Sequence, residues 1–205
     1  MIILGLTGSI GMGKTTAADQ LRSLGIPVYD ADEAVHRLMA KGGKAVPLVE
    51  RAFPNVVFGG EVERARLGAR VFGDDAALKR LEAILHPLVK DQELGFVRRA
   101  RRQRRRIVAL DIPLLFEVQG TARLDAVAVV SCPPFLQEQR VLARTGMTHG
   151  KLAGIRRRQM PDPEKRRHAD FVIPTGAGKR LSLRKLRLAV QRLERIGPRR
   201  RYRAA

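Results

Sequence analysis

The segment Gly8-Ser9-Ile10-Gly11-Met12-Gly13-Lys14-Thr15 constrains the fold more than any other feature of this 205-residue chain. It fits the pattern G-x-x-x-x-G-K-[ST]. The apolar run Ile2-Ile3-Leu4-Gly5-Leu6 precedes it and reads as a strand buried on both faces. A helix is expected from about Lys14 to Leu24, with Ala17, Ala18, Leu21 and Leu24 inward and Gly25 as its stop. Glycines such as Gly8, Gly11 and Gly13 let a backbone fold around a phosphate and turn its N–H groups inward. The helix N-terminus adds its dipole. Lys14 would reach the β- and γ-phosphates, and the Thr15 hydroxyl would take a Mg²⁺ position. This loop implies binding of a nucleoside triphosphate and nothing narrower.

Pro27-Val28-Tyr29-Asp30 reads as a second strand, so the chain opens βαβ and the sheet is expected to be parallel. Residues 31–104 look mostly helical, with breaks at Gly42-Gly43, Pro54 and Gly59-Gly60. One helix is expected over Asp74–Leu85 and another from Pro87, a favoured first-turn residue. Strands return at Ile107–Asp111, Ala126–Ser131 and Phe171–Ile173; helices are expected at Pro134–Arg144, Lys151–Gln159 and Ser182–Ile196. The predicted architecture is an α/β, parallel-sheet core over 1–30, 105–140 and 169–198. A helical insertion covers 31–104, a small arginine-rich insertion covers 141–168, and a basic tail covers 199–205.

Charge divides the chain. Lys plus Arg number 40 and Asp plus Glu 20, a net of +20. Residues 1–97 carry 12 of each sign, whereas residues 98–205 carry 28 basic and 8 acidic side chains. The cationic half favours polyanions: nucleotides, phosphorylated cofactors or RNA. Aromatics make up only 4 % and there is no Trp, which argues against stacking platforms for single strands. RNA binding is therefore expected to be weak, sequence-indifferent and steeply salt-dependent. The single cysteine, Cys132, excludes an internal disulfide and a cysteine-built zinc site. The N-terminus lacks the basic region of a secretory signal, and no apolar run is long enough for a membrane span. A cytoplasmic protein without a membrane partner is expected.

Several side chains are candidates for chemistry. Asp30-Ala31-Asp32 closes the second strand, and in open parallel sheets ligands bind beyond the carboxyl ends of strands. One carboxylate could accept a proton or support a metal; the alternative is a helix N-cap. Asp111 ends the third predicted strand, where a metal-associated carboxylate or a cap would sit. Arg140 and Arg144 lie on one helical face, and Arg156–Arg158 and Lys165–Arg167 follow. Arginines here could stabilise a transferring phosphoryl group and close over it. Arg98–Arg106 holds seven arginines in nine residues, spread all round a helix. It reads as a solvated surface, with polyanion contact as the alternative. His86, before Pro87, reads as a helix-start residue, and Cys132 as packing.

Taken together these pieces resemble the dephospho-coenzyme A kinase family. The matching residues are Leu6–Thr16, Asp30-Ala31-Asp32, Leu85-His86-Pro87-Leu88 and Asp111-Ile112-Pro113-Leu114-Leu115-Phe116-Glu117. They continue with Gln139-Arg140, Arg158-Gln159-Met160 and Ala169-Asp170-Phe171-Val172-Ile173. The resemblance implies a P-loop nucleotide-kinase-like fold with an acceptor domain at 31–104 and a lid at 141–168. It implies transfer of the γ-phosphate of Mg-ATP to the ribose 3′-hydroxyl of dephospho-CoA, by a monomer or weak homo-oligomer. By the same resemblance Asp32 is the general base, and Lys14 and Arg140 neutralise the transferring group. Gly8, Gly11, Met12, Gly13, Lys14, Thr15, Thr16, Arg144 and Thr175 hold ATP. Thr15, with Asp111 as a further ligand candidate, holds Mg²⁺. Asp32, His86, Pro113, Leu114, Leu115, Phe116 and Glu117 bind the acceptor. Thr175 offers a hydroxyl where the family often has the amide of Asn-x-Gly. Another small-molecule kinase, such as a nucleoside monophosphate kinase, leaves Asp30–Asp32 and Pro113–Glu117 unexplained; an NTP-dependent RNA-binding protein is the reading from a different class.

Overall fold

The computed structural model describes residues 1–118 and 120–197; the expected basic tail at 199–205 lies outside them. The described chain divides into two compact units, residues 1–29 with 100 onward, and residues 30–99.

The first unit is built on a five-stranded sheet. Its strands are β1 (Ile2–Thr7), β2 (Val28–Asp30), β5 (Ile107–Asp111), β6 (Ala126–Ser131) and β7 (Phe171–Pro174), in the order β2-β5-β1-β6-β7. β1 pairs in parallel with β5 and with β6, and β6 with β7. Every residue of β1, β5 and β6 is buried, which explains their unbroken apolar runs. Helices α1 (Lys14–Ser23), α6 (Pro134–Leu142), α7 (His149–Arg158), α8 (Asp162–Arg167) and α9 (Lys179–Ile196) complete the unit. Leu4, Leu6, Leu21, Ile173 and Leu186 share one core. Because β1 is central, the loop after it opens where its two neighbours are reached by opposite crossovers, the ligand-binding position of open α/β sheets.

The second unit holds α2 (Ala31–Met39), α3 (Val46–Ala52), β3 (Val57–Phe58), β4 (Glu61–Val62), α4 (Arg64–Val71) and most of α5 (Asp75–Arg102). Its own core gathers Leu38, Val49, Phe53, Val56, Leu67, Leu81 and Leu85.

Three elements differ from the expectations above. Gly59-Gly60 is the turn of an antiparallel β3–β4 hairpin rather than a break between helices. Both glycines have positive φ (58° and 83°), as a two-residue hairpin loop demands. Pro87 starts no helix: it lies inside α5, and His86 is an exposed mid-helix residue that caps nothing. An interior proline costs about 3 kcal/mol. Here buried Leu81 and Leu85 before it and Val97 after it keep the helix running through. Finally, α8 is a helix beyond those expected; Asp162, Pro163 and Glu164 in its first turn and Lys165, Arg166 and Arg167 in its last are its helix-terminus signals.

Candidate active site

The phosphate loop is held from three sides. Gly11 and Gly13 have φ of 74° and 86°, values a side chain disfavours, and Gly13 is the residue that opens α1. The Ile10 N–H donates to Gln159 Oε1 at 3.1 Å, and the Ile10 carbonyl accepts from Gln137 Nε2 at 2.8 Å. Gln137 is oriented in turn by Arg156, whose Nη2 donates to Gln137 Oε1 at 2.8 Å. Just past β7, the Thr175 hydroxyl donates to the Met12 carbonyl at 2.6 Å, while Arg140 Nη2 donates to the Thr175 carbonyl at 2.8 Å. Met12 itself is buried, and the Cys132 N–H points at its sulfur at 3.2 Å. Burial pushes the Cys132 thiol above its ordinary range, so it is a packing residue rather than a nucleophile. The loop backbone is thus fixed by side chains reaching it from Gln137 on α6, from Gln159 and from Thr175.

Lys14 projects its ammonium to within 2.6 Å of Asp111 Oδ1. Asp111 is 1 % exposed, so its carboxylate sits beneath the loop in a low-dielectric setting. Beside the loop lies a cavity of about 390 Å³. It takes in Gly11, Gly13, Thr15, Thr16, Arg140, Arg144 and Thr175 from the expected set, and adds Lys179 and Ser182. Arg140, in the last turn of α6, and Arg144, two residues past its end, both face this space; the expected helix to Arg144 stops at Leu142, so the two do not share a helical face. A cavity bordered by loop glycines and the first residues of α1 and lined by two arginines and a lysine is complementary to a polyphosphate.

The Pro113–Glu117 segment follows β5. The Thr7 hydroxyl donates to the Pro113 carbonyl at 3.1 Å, tying this segment to the end of β1. Leu115 is fully buried, whereas Leu114 is exposed. Phe116 packs its ring 5.8 Å from that of His168. Glu117 Oε1 lies 2.9 Å from the fully buried Lys165 Nζ and accepts from the Met160 N–H at 2.8 Å. Burial alone would raise the Glu117 carboxyl, but the Lys165 ammonium and the Met160 amide outweigh it and hold it below the ordinary range. Gln137 and Lys179 are not among the candidates above, and Lys165 and Gln159 stand there only within a basic run and a matching segment, without these contacts. Nothing in the sequence says which lysine of a basic run turns inward or which glutamine meets the loop.

Within the second unit, Asp30 Oδ1 accepts from the Glu33 N–H at 2.9 Å and so caps α2. Asp32 lies in the first turn of α2 and is exposed. His86 is exposed on α5.

The family model for dephospho-CoA kinase matches residues 2–179. The chain belongs to the dephospho-CoA kinase family. A dephospho-CoA kinase from Paramagnetospirillum magneticum is 64 % identical over 166 residues, covering 81 % of this chain and 78 % of that protein. A dephospho-CoA kinase from Mesorhizobium japonicum is 60 % identical over 178 residues, covering 87 % and 89 %. A crystal structure from Thermus thermophilus superposes with a TM-score of 0.82 at 37 % identity, covering 93 % of this chain and 96 % of that one. The α/β fold and its parallel sheet are those expected of a dephospho-CoA kinase. No described helix is long and apolar enough to cross a membrane.

Proposed function

We propose that the chain transfers the γ-phosphate of ATP to the ribose 3′-hydroxyl of dephospho-CoA, giving coenzyme A and ADP, the last step of coenzyme A synthesis. The observation that carries this reading is the phosphate-loop cavity of a dephospho-CoA kinase family member, lined by Arg140, Arg144 and Lys179, with Lys14 paired to Asp111 at the head of α1. The loop amides from Gly11 to Thr16 would bind the ATP phosphates. Lys14 would leave Asp111 for the β- and γ-phosphates, and Arg140 would neutralise charge that develops on the transferring group. Arg144 and Lys179 would hold the rest of the polyphosphate. The Thr15 hydroxyl and the Asp111 carboxylate are hard oxygen donors of the kind Mg²⁺ prefers, and two protein ligands suit an ion that keeps several waters. When bound, that ion would offset phosphate charge. Thr175 supports the loop through Met12, so adenine would be read by backbone groups or by other side chains.

Asp32 is the proposed general base, two residues past the end of β2, and the unit at 30–99 is the proposed acceptor domain. His86 and Pro113–Glu117 are the proposed acceptor contacts, with Glu117 acting by fixing its loop rather than by a free carboxylate. Residues 141–168 are the proposed lid. The cytoplasm is the proposed compartment, and a monomer or weak homo-oligomer the proposed state.

Two substitutions follow. Asp32→Asn should lose at least about 10²-fold in turnover, the usual scale of general acid–base catalysis, with ATP affinity nearly unchanged. Collapse of ATP binding with turnover at saturation preserved would instead make Asp32 structural. Arg140→Ala should lower turnover more than it weakens Mg-ATP binding, read from kcat against the ATP dissociation constant. Equal losses would mean that Arg140 serves ground-state binding alone. The reaction itself is tested by ADP release with dephospho-CoA and with its 3′-deoxy analogue. The analogue should bind as a competitive inhibitor without turnover. ADP release that ignores loss of the 3′-hydroxyl would refute the acceptor site.

A further inference from the structure

The phosphate loop lies at the carboxyl end of β1; the arginine run ends at the opposite, amino end of the strands. The Arg106 carbonyl accepts from the Ile2 N–H at 2.8 Å, which puts the end of the run at the amino ends of β1 and β5. The six residues of β1 separate it from the loop by about 20 Å, at ~3.3 Å per residue. Residues 101–106 are all exposed. Arg106 Nη1 lies 3.7 Å from Glu194 Oε1 on α9. Between the turn and α9 runs a groove of about 1020 Å³ lined by Arg106, Arg192 and Arg195 along with Leu188, Gln191, Glu194 and Ile196. Glu194 is the one acidic side chain among those lining residues. The sequence then continues past Gly197 with Arg199, Arg200, Arg201 and Arg203.

The turn also carries a backbone cost that its charge explains. The Arg105 N–H donates to the Ala100 carbonyl at 3.0 Å, and the Arg104 N–H to the Arg101 carbonyl at 2.9 Å. This is the paired helix-ending motif whose left-handed position glycine normally fills. Here Arg104 takes it, with φ of 55°. An arginine held where glycine is easier points to a side chain retained for what it binds.

We infer that this face, formed by the Arg101–Arg106 turn and the carboxyl-terminal half of α9, binds the phosphate backbone of double-stranded nucleic acid without reading its sequence. Arginine forks match phosphate oxygens. The scarcity of aromatics leaves no platform for unstacked bases, so a duplex is favoured over a single strand. An anionic bilayer fits less well: the apolar stripe of α9, Leu186, Val190 and Leu193, is buried in the core, which leaves only Leu188 and Ile196 exposed among the arginines, too few for an inserting face. This inference is independent of the phosphoryl-transfer reading and uses none of its residues.

The test is fluorescence anisotropy of the full chain with a labelled mixed-sequence duplex of about 24 base pairs, titrated from about 50 to about 200 mM salt. Parallel titrations use the matching single strand and vesicles of phosphatidylserine and phosphatidylcholine. The wild type should bind the duplex more tightly than the single strand, and more tightly than the vesicles. The triple variant Arg104→Gly/Arg192→Gln/Arg195→Gln should bind at least ~10-fold more weakly at about 100 mM salt. It should lower the log–log salt slope by about 2 to 3, the loss expected for three phosphate contacts. Its kinase turnover should match the wild type. Arg104→Gly alone should raise the thermal midpoint by about 2–4 °C while weakening duplex binding, so lost binding cannot be put down to unfolding. An unchanged affinity and slope in the triple variant, or tighter binding to the vesicles or the single strand, would overturn the inference.

Discussion

Lys14→Ala is expected to remove at least about 10³-fold of phosphoryl transfer, the upper scale for deleting one charge-stabilising donor. The ammonium sits 2.6 Å from the buried Asp111 carboxylate at the mouth of α1, where both β- and γ-phosphates would lie. The loop's own shape does not depend on it, since Thr175, Gln137 and Gln159 hold Met12 and Ile10. The folded state should therefore survive, with a cooperative melt and unchanged far-UV circular dichroism. Single-turnover ADP formation measures the loss. Near-normal turnover in a folded variant would contradict the placement of ATP at this loop.

Lys165→Met should cost about 3–5 kcal/mol of stability, the range for breaking one partner out of a buried ion pair. Lys165 is fully buried, and Glu117 depends on it. Without the ammonium, the Glu117 carboxylate stays in a pocket where burial already opposes its charge. For a chain of this length that corresponds to a thermal midpoint lower by roughly 10 °C. The double variant Lys165→Met/Glu117→Gln should recover a large part of the loss, because a neutral amide needs no cation. The pH dependence has a fixed sign. Glu117 is held below its ordinary value of 4.5, so the pair stabilises fully above that pH and fades as pH falls through the lowered folded value. The gap between wild type and Lys165→Met should accordingly narrow as pH falls below 4.5. A wild-type melt in Lys165→Met at pH 7 would contradict the reading of this pair.

The sequence made the phosphate loop legible because glycine, lysine and threonine at that spacing answer one physical demand, an N–H-lined curve before a helix. The same holds for the strands, whose unbroken apolar runs follow from burial on both faces. Asp111 was placed by its position at the end of a strand, but its pairing with Lys14 is a tertiary contact between residues 97 apart. Pro87 misled because local propensity favours a helix start, whereas the packing of Leu81, Leu85 and Val97 decides the matter. The hairpin at Gly59-Gly60 was within reach of the sequence, since paired glycines between β-formers are a hairpin signal. Lys165 was not: in an arginine-rich run, nothing local says which cation turns inward to meet Glu117.

The central claim concerns the acceptor, and a panel of acceptors tests it most directly. Mg-ATP would be offered with dephospho-CoA, AMP, CMP, UMP, adenosine and shikimate, and ADP release measured for each. A site that hydrogen-bonds its substrate can discriminate by about 10²-fold or far more. Dephospho-CoA should therefore exceed every other acceptor by at least about 10²-fold in kcat/KM, with the new phosphate on the ribose 3′-oxygen. A nucleoside monophosphate or shikimate turned over as well as dephospho-CoA would contradict the account.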